Sequence, residues 1–203
     1  MKKIVAIGGS VIKTAREELI EVIKSDQVEM LIHNGGSIFH DFQKEINDLE
    51  GHSYPLDELL NSYEPNREAS LEIWTWLQHY HLAPPGSVTR WCQEKDIPIL
   101  MFTGLGCDFW QLFNDSWEIF AKVARDDFSQ LCTRFQKKFH YVCMGSAVIH
   151  PEVFIKALAV AKPNVQFRAD VVDFLDMYRP RTRVAKFGTY YQLTHKEYLK
   201  GLL

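Results

Sequence analysis

The chain is poor in the residues that mark disordered, disulfide-stapled or membrane proteins. Its 203 residues include 8 Pro, 11 Gly and 4 Cys. So little Pro and Gly, set against 46% hydrophobic and 13% aromatic residues, excludes a disordered or low-complexity chain and leaves enough apolar side chain for a full core. Cys92, Cys107, Cys132 and Cys143 form no CxxC pair and stand at no metal-ligand spacing with histidine, so buried free thiols are expected and no metal site. No stretch approaches the ~18 uninterrupted apolar residues of a bilayer span. Lys13 cuts the N-terminal apolar run too short for a signal peptide. A cytoplasmic protein without membrane contact is expected. An excess of positive charge is also missing, since 23 Lys and Arg face 26 Asp and Glu. Nucleic acid and anionic membranes need clustered cations to displace counterions, and the one dense basic patch is Arg179, Arg181, Arg183 and Lys186. No nucleic-acid partner is expected.

Five short segments rich in β-branched and apolar residues are present: 4–7, 28–33, 97–102, 139–144 and 165–169. Their near-continuous hydrophobicity suits strands buried on both faces, as in a parallel sheet. Helical patterns lie between them. Thr14-Ala-Arg-Glu17 reads as a capping box. Ile38, Phe42, Ile46 and Leu49 recur at steps of four and three, and Trp117, Phe120, Ala124, Phe128, Leu131 and Phe135 hold one apolar stripe suited to the sheet or a partner helix. Alternating strand and helix predicts a single α/β domain over 1–203: a Rossmann-like, doubly wound, mostly parallel sheet of five or six strands with helices on both faces. Residues 51–86 break the rhythm with a polar stretch, a helix around Trp74, Trp76 and Leu77, and the breaker Ala83-Pro84-Pro85-Gly86. They read as a helical insertion.

Ligands of open parallel sheets bind beyond the carboxyl ends of the strands. Small and polar residues collect there: Gly8-Gly9-Ser10, Asn34-Gly35-Gly36-Ser37, Thr103-Gly104-Leu105-Gly106-Cys107-Asp108, and Gly145-Ser146. Such loops let backbone approach a ligand, and the helix after each one aims free N–H groups at a phosphate. The full GxGxxG fingerprint is absent, and no acidic residue ends the second strand to grip a ribose.

The runs VEMLIHNGGSIFHDFQK, SVTRWCQEKDIPILMFTGLGCDFW, MGSAVIHPEVF and RADVVDFLDMYRPRTRVAKFG, in that order and spacing, resemble the deoxyhypusine synthase family, whose enzymes use NAD and spermidine to build an aminobutyl group on a protein lysine. The loop residues Gly8, Gly9, Ser10, Asn34, Gly35, Gly36, Gly104, Gly106, Gly145 and Ser146 are the candidate cofactor contacts, and the resemblance implies that the cofactor is NAD, with Gly35 and Gly36 lying on it, and that the substrate is a polyamine or related amine. It places Asp108, Asp173 and Asp176 on that amine and His150 in the substrate pocket as a proton carrier. It also implies a homo-oligomer, tetramer or dimer. His150, just ahead of Pro151, equally suits an ordinary helix start.

The sequence departs from the family where the chemistry is most demanding. The essential lysine after a Trp-Gly pair is replaced by Thr189 after Phe187-Gly188, and Phe39 and His40 stand where an acidic pair is expected. Lys186 is the candidate substitute nucleophile, which would need burial or a neighbouring cation to lose its proton. Two main readings are open: an NAD-dependent amine dehydrogenase or aminoalkyl transferase, or a non-catalytic oligomeric binding or scaffold protein. A Rossmann-like hydrolase or transferase with no dinucleotide, using Ser10, Ser37 or Ser146, is a third, without a GxSxG elbow to support it. Deoxyhypusine synthesis itself is not expected.

Overall fold

The structure, a computed structural model, describes residues 1–50, 82–102 and 117–203. Six strands, β1 (Lys3–Ile7), β2 (Val28–Asn34), β3 (Ile99–Phe102), β4 (Phe139–Met144), β5 (Phe167–Val172) and β6 (Tyr190–Tyr191), form one sheet in the order β3-β2-β1-β4-β5-β6. Every pairing is parallel. The described helices are α1 (Gly9–Lys24), α2 (Gly35–Glu50), α3 (Val88–Glu94), α4 (Trp117–Arg134), α5 (Ile149–Ala161), α6 (Tyr178–Arg183) and α7 (His195–Lys200), with a 3-10 turn at Ala185–Phe187. The chain winds outward from β1 through β2 to β3, returns to the centre at β4, and winds the other way. The order therefore reverses between β1 and β4, where doubly wound sheets open their ligand crevice.

Alternation along the strands divides the core into two layers. Val5, Ile7, Leu31, Val142, Met144 and Val172 pack beneath α1, α3 and α7, against Val11, Leu19, Ile23, Val88 and Leu199. Ile4, Ala6, Ile32, Tyr141, Cys143 and Val171 pack against Leu131 of α4, Phe135 directly after it, and Phe154 and Ala157 of α5. Phe135 stacks on Phe139 with centroids 4.2 Å apart, so the described part of the α4 stripe covers the chain's own sheet. The side chains of Trp117 and Phe120 lie outside the described residues.

Three local outcomes differ from the sequence pattern. The α1 helix begins at Gly9, ahead of the Thr14 capping box, and breaks helical geometry once, at Ala15 (φ −150°, ψ 26°). The Thr14 hydroxyl donates to the Ser10 carbonyl (2.8 Å), so it caps nothing. The fifth strand continues past residue 169 through Asp170, and the two-residue β6 joins its edge. Asp170 can lie in a sheet because His140 Nε2 (2.7 Å), Arg168 Nε (2.8 Å) and the Thr189 N–H (2.7 Å) all donate to it.

Most of the expected insertion, residues 51–81, lies outside the described residues. Its exit is a turn closed by Ser87 N–H to Pro84 O (3.2 Å), with Gly86 at φ +86°. A buried polar network fixes the start of the next helix. Asp41 of α2 accepts the Val88 N–H (2.8 Å), the Thr89 N–H (2.9 Å) and the Thr89 hydroxyl (2.7 Å), capping α3 from outside. Arg16 bridges Glu45 and the Gly86 carbonyl.

Candidate functional site

The loops after β1, β2 and β4 meet at the carboxyl edge, over the point where the strand order reverses. Gly8 donates its N–H to Met144 O (2.9 Å), and a Cβ on Gly8 would fall inside the Gly145 carbonyl. Gly145 has φ +61°, and a Cβ there would press on the Ser10 hydroxyl, on Val11 Cγ2 (3.0 Å) and on His195 Cε1 (3.2 Å). A side chain on Gly9 would meet the His40 ring of α2 (2.7 Å) and Gly36 (3.5 Å). Glycine is thus required at 8 and 145 by the approach of one loop to the other, before any ligand is considered.

What these loops offer a ligand is backbone. Gly8 is the N-cap of α1 in extended conformation, with no side-chain cap, and the first turn carries no acid. The leading N–H groups of a sixteen-residue helix therefore face the crevice uncapped, an arrangement that suits a phosphate. Asn34 is different. Its Oδ1 accepts the Ser37 N–H (2.8 Å) while Ser37 Oγ accepts the Asn34 N–H (3.0 Å), a reciprocal cap that occupies the carboxamide oxygen. Ser146 is buried and accepts the His150 N–H on its hydroxyl (3.2 Å), capping α5.

His150 lies fully buried under the first loop, its Nε2 donating to the Ile7 carbonyl (2.8 Å). Burial drives its pKa down to about 4, with His33 nearby adding to the effect. The ring is neutral at pH 7, so the proton-carrying role expected of it meets a side chain fixed as a donor to backbone, and its buried Nδ1 has no partner among the described residues. His33 is also buried and neutral, held near 3 by desolvation. Its Nδ1 pairs with Ser37 Oγ (2.9 Å) and its Nε2 with Thr89 Oγ1 (3.2 Å), linking the crevice to the Asp41 network.

The expected acidic residues separate. Asp173, directly after β5, is buried and turns one carboxylate oxygen to the Leu175 N–H (3.2 Å). The other lies 3.9 Å from His195 Nε2. Asp176 is half-exposed and paired with Arg181. Asp108, Gly104 and Gly106 lie outside the described residues. Lys186 is exposed, its ammonium 4.8 Å above the Phe187 ring. Phe187 in turn packs on Phe167, the first residue of β5 (5.4 Å between centroids). At about 3.3 Å per residue, that puts Lys186 roughly 16 Å from the carboxyl edge, away from the crevice. Thr189 is tied to β5, its N–H on Asp170.

Sequence reasoning did not find His195. It opens α7, whose Thr194–Glu197 capping box is complete, and packing of α7 on α1 carries the ring into the site. The Thr14 hydroxyl gives its hydrogen to Ser10 O, so His195 Nδ1–H donates to Thr14 Oγ1 (3.3 Å) and Nε2 is left facing Asp173. That buried Nε2 has no hydrogen-bond partner among the described residues. His40, which stood out in the sequence as a departure, lines the opposite side, and burial and Lys13 pull its pKa to about 4. Cys92 and Cys143 are the buried free thiols expected, Cys132 is free but only partly buried, and Cys107 lies outside the described residues; burial pushes Cys92 up to about 12 and Cys143 higher still, so neither is a nucleophile at neutral pH. No cluster of His, Cys, Asp and Glu among the described residues could hold a metal ion, and no described helix is long and apolar enough to cross a membrane.

No family model matches the chain, and no curated protein does. Solved structures do. The ternary complex of AgrE with ornithine and NAD+ superposes with a TM-score of 0.66 at 13% identity, over 99% of this chain and 29% of that one. Unliganded ArgZ, an arginine dihydrolase from the ornithine-ammonia cycle in cyanobacteria, gives 0.57 at 15% identity over the same shares. A conserved putative LOR/SDH protein from Methanococcus maripaludis S2 gives 0.59 at 11% identity, over 99% of this chain and 60% of its own. The likeness is one of fold. The chain spans less than a third of AgrE and ArgZ, and what it shares with them is a Rossmann-like architecture.

Proposed function

We propose that the chain binds NAD across the carboxyl edge at the β1/β4 reversal, with the pyrophosphate on the uncapped first turn of α1. The uncapped N-terminus of α1 at the reversal of strand order carries the reading. The NAD+ complex of AgrE, which has the same fold, supports it. The glycines of the first, second and fourth loops would let the dinucleotide lie on backbone. No acidic side chain ends β2, and Asn34 Oδ1 is occupied, so the ribose hydroxyls would be held from elsewhere. When bound, NAD supplies a hydride acceptor.

An amine is the substrate class that fits the rest of the site. With a neutral His195 ring, its Nε2 and Asp173 Oδ2 would be two acceptors facing each other at 3.9 Å, with no donor between them among the described residues. An ammonium or amine N–H would satisfy both. Ornithine in the AgrE complex and spermidine in the deoxyhypusine synthase resemblance are both amines, which agrees with this arrangement. Asp173 would hold the cation, His195 would accept a proton from it, and the neutral His150 would fix the Ile7 carbonyl at the crevice floor.

A transferase step of the deoxyhypusine kind lacks its nucleophile, because Thr189 has no amine and Lys186 sits at the far end of β5. That observation favours either plain amine dehydrogenation or the non-catalytic binding protein. The test is a melting curve with NAD or NADH. At a hundred times Kd, binding adds about 2.7 kcal/mol, which for a chain of this size raises Tm by roughly 5–11 °C. No shift with millimolar NAD or NADH overturns the cofactor reading. With NAD bound, NADH formation from spermidine or ornithine marks a dehydrogenase, and silence with both marks the binding protein. Borohydride trapping with spermidine should leave the chain mass unchanged.

A further inference from the structure

At the opposite edge of the sheet, on the face covered by α1 and α7, a groove of about 350 Å³ lies over the amino halves of β1, β4 and β5. The size falls in the range of small-metabolite pockets. Strand alternation explains its polarity. Lys3, His140, Arg168 and Asp170 point to the same face as Val5, Val142 and Val172, but where those apolar residues pack under α1, the polar ones line the open groove. Tyr191, Tyr198 and Leu202 form its apolar wall.

The donors outnumber the acceptors. Lys3 is 9% exposed, and its ammonium has no hydrogen-bond or ion-pair partner among the described residues. Burial pulls its pKa down, opposed by the charge of Asp170. Arg168 directs Nε to Asp170 and Nη2 to Thr189 Oγ1 (3.2 Å) and the Tyr191 hydroxyl (2.7 Å), which leaves Nη1 for another acceptor. The Tyr198 hydroxyl likewise has no partner among the described residues. The buried acceptor, by contrast, is occupied. Asp170 already receives His140, Arg168 and Thr189, while Glu197 at the rim accepts the Thr194 N–H (2.9 Å) and hydroxyl (2.7 Å) on Oε2 in the α7 cap. Most of the Lys3 side chain is buried, but its ammonium opens into the groove with no carboxylate of the described residues in contact with it, a position that favours an incoming anion.

We infer that this groove is a second binding site, for a small molecule carrying one carboxylate or phosphate on a short apolar body. The oxyanion would sit between Lys3 Nζ, Arg168 Nη1 and the Tyr198 hydroxyl, with the body against Tyr191 and Leu202. Lys3 stands five residues, about 16 Å, from Gly8, so the groove is separate from the NAD crevice and the inference does not rest on that reading.

The experiment is calorimetric titration of the full chain with benzoate and with phenyl phosphate, which separates the two oxyanions. At least one should bind with a millimolar or lower Kd, and Lys3→Met should weaken it by about tenfold or more while raising the ligand-free Tm by about 2–4 °C, because the unpaired charge is gone. A lysine that merely supports the fold would lower Tm instead. On the wild-type chain, amide shifts in the 15N spectrum should centre on Tyr191 and Tyr198. No binding of either compound, shifts confined to the glycine loops, or an unchanged affinity in Lys3→Met would each overturn the inference.

Discussion

Replacing Gly145 with alanine tests whether the reversal point is held as tightly as its geometry implies. The residue sits at φ +61°, where an L side chain costs about 1–2 kcal/mol. The new methyl would also press on the Ser10 hydroxyl, with Val11 Cγ2 at 3.0 Å and His195 Cε1 at 3.2 Å behind it. Overfilling a packed site costs about 1–3 kcal/mol more. Gly145→Ala should therefore destabilise the chain by about 2–5 kcal/mol in urea unfolding, read as a lower midpoint at unchanged m-value. Ser10→Ala removes the closest obstacle, at the loss of its own bond to Gly145 O (3.3 Å), so the double variant should recover about 1–2 kcal/mol of the Gly145→Ala cost. It should not recover all of it, since the backbone strain and the contacts with Val11 and His195 persist. Gly201→Ala is the control, at φ −70°, and should change stability by less than about 1 kcal/mol. A Gly145→Ala cost below about 1 kcal/mol, or no recovery in the double variant, would refute the reasoning.

The buried polar groups carry further testable outcomes. His33 (pKa about 3), His40 (about 4) and His150 (about 4) are all depressed below the unfolded value of 6.5, so the unfolded chain binds more protons. Their contribution is fully present above pH 6.5 and is lost as pH falls towards 4 and then 3. Each site adds up to about 1.4 kcal/mol per pH unit to that slope, and His150→Gln should flatten the measured curve. Asp41→Asn should cost about 2–4 kcal/mol and speed hydrogen exchange at the Val88 and Thr89 amides, because an amide cannot accept all three donors that the carboxylate holds. Lys186→Met should leave both stability and NAD binding within about 0.5 kcal/mol of the parent, as expected for an exposed side chain far from the crevice.

Much of the architecture was legible because burial writes itself into local pattern. The segments at 28–33 and 139–144 became β2 and β4 nearly residue for residue, since strands covered on both faces carry continuous apolar runs. The close approach of the glycines after β1 and β4 was legible for the same reason: close backbone approach excludes side chains, and the residue type records it. Asp170 hid the second half of β5, because a carboxylate inside a strand makes sense once His140, from another strand, stands beside it. The kink at Ala15 was hidden as well, since Thr14 had an equally good local use as a cap.

By itself, the sequence determined the α/β class, the parallel sheet, the sites of the connections after β1, β2 and β4, and the absence of a lysine at the position of Thr189. These depend on neighbours in the chain and on the period of hydrophobicity. Only the tertiary structure decided which polar groups meet. It brought His195, from the last helix, against Thr14 and Asp173, moved Lys186 to the far edge, turned Asp176 to Arg181, and buried His150 beyond titration near neutral pH. The physical reason is that hydrogen bonds and charges act over a few ångströms in space. Residues 181 positions apart can stand within that range, while Lys186, 13 positions from Asp173, lies outside it.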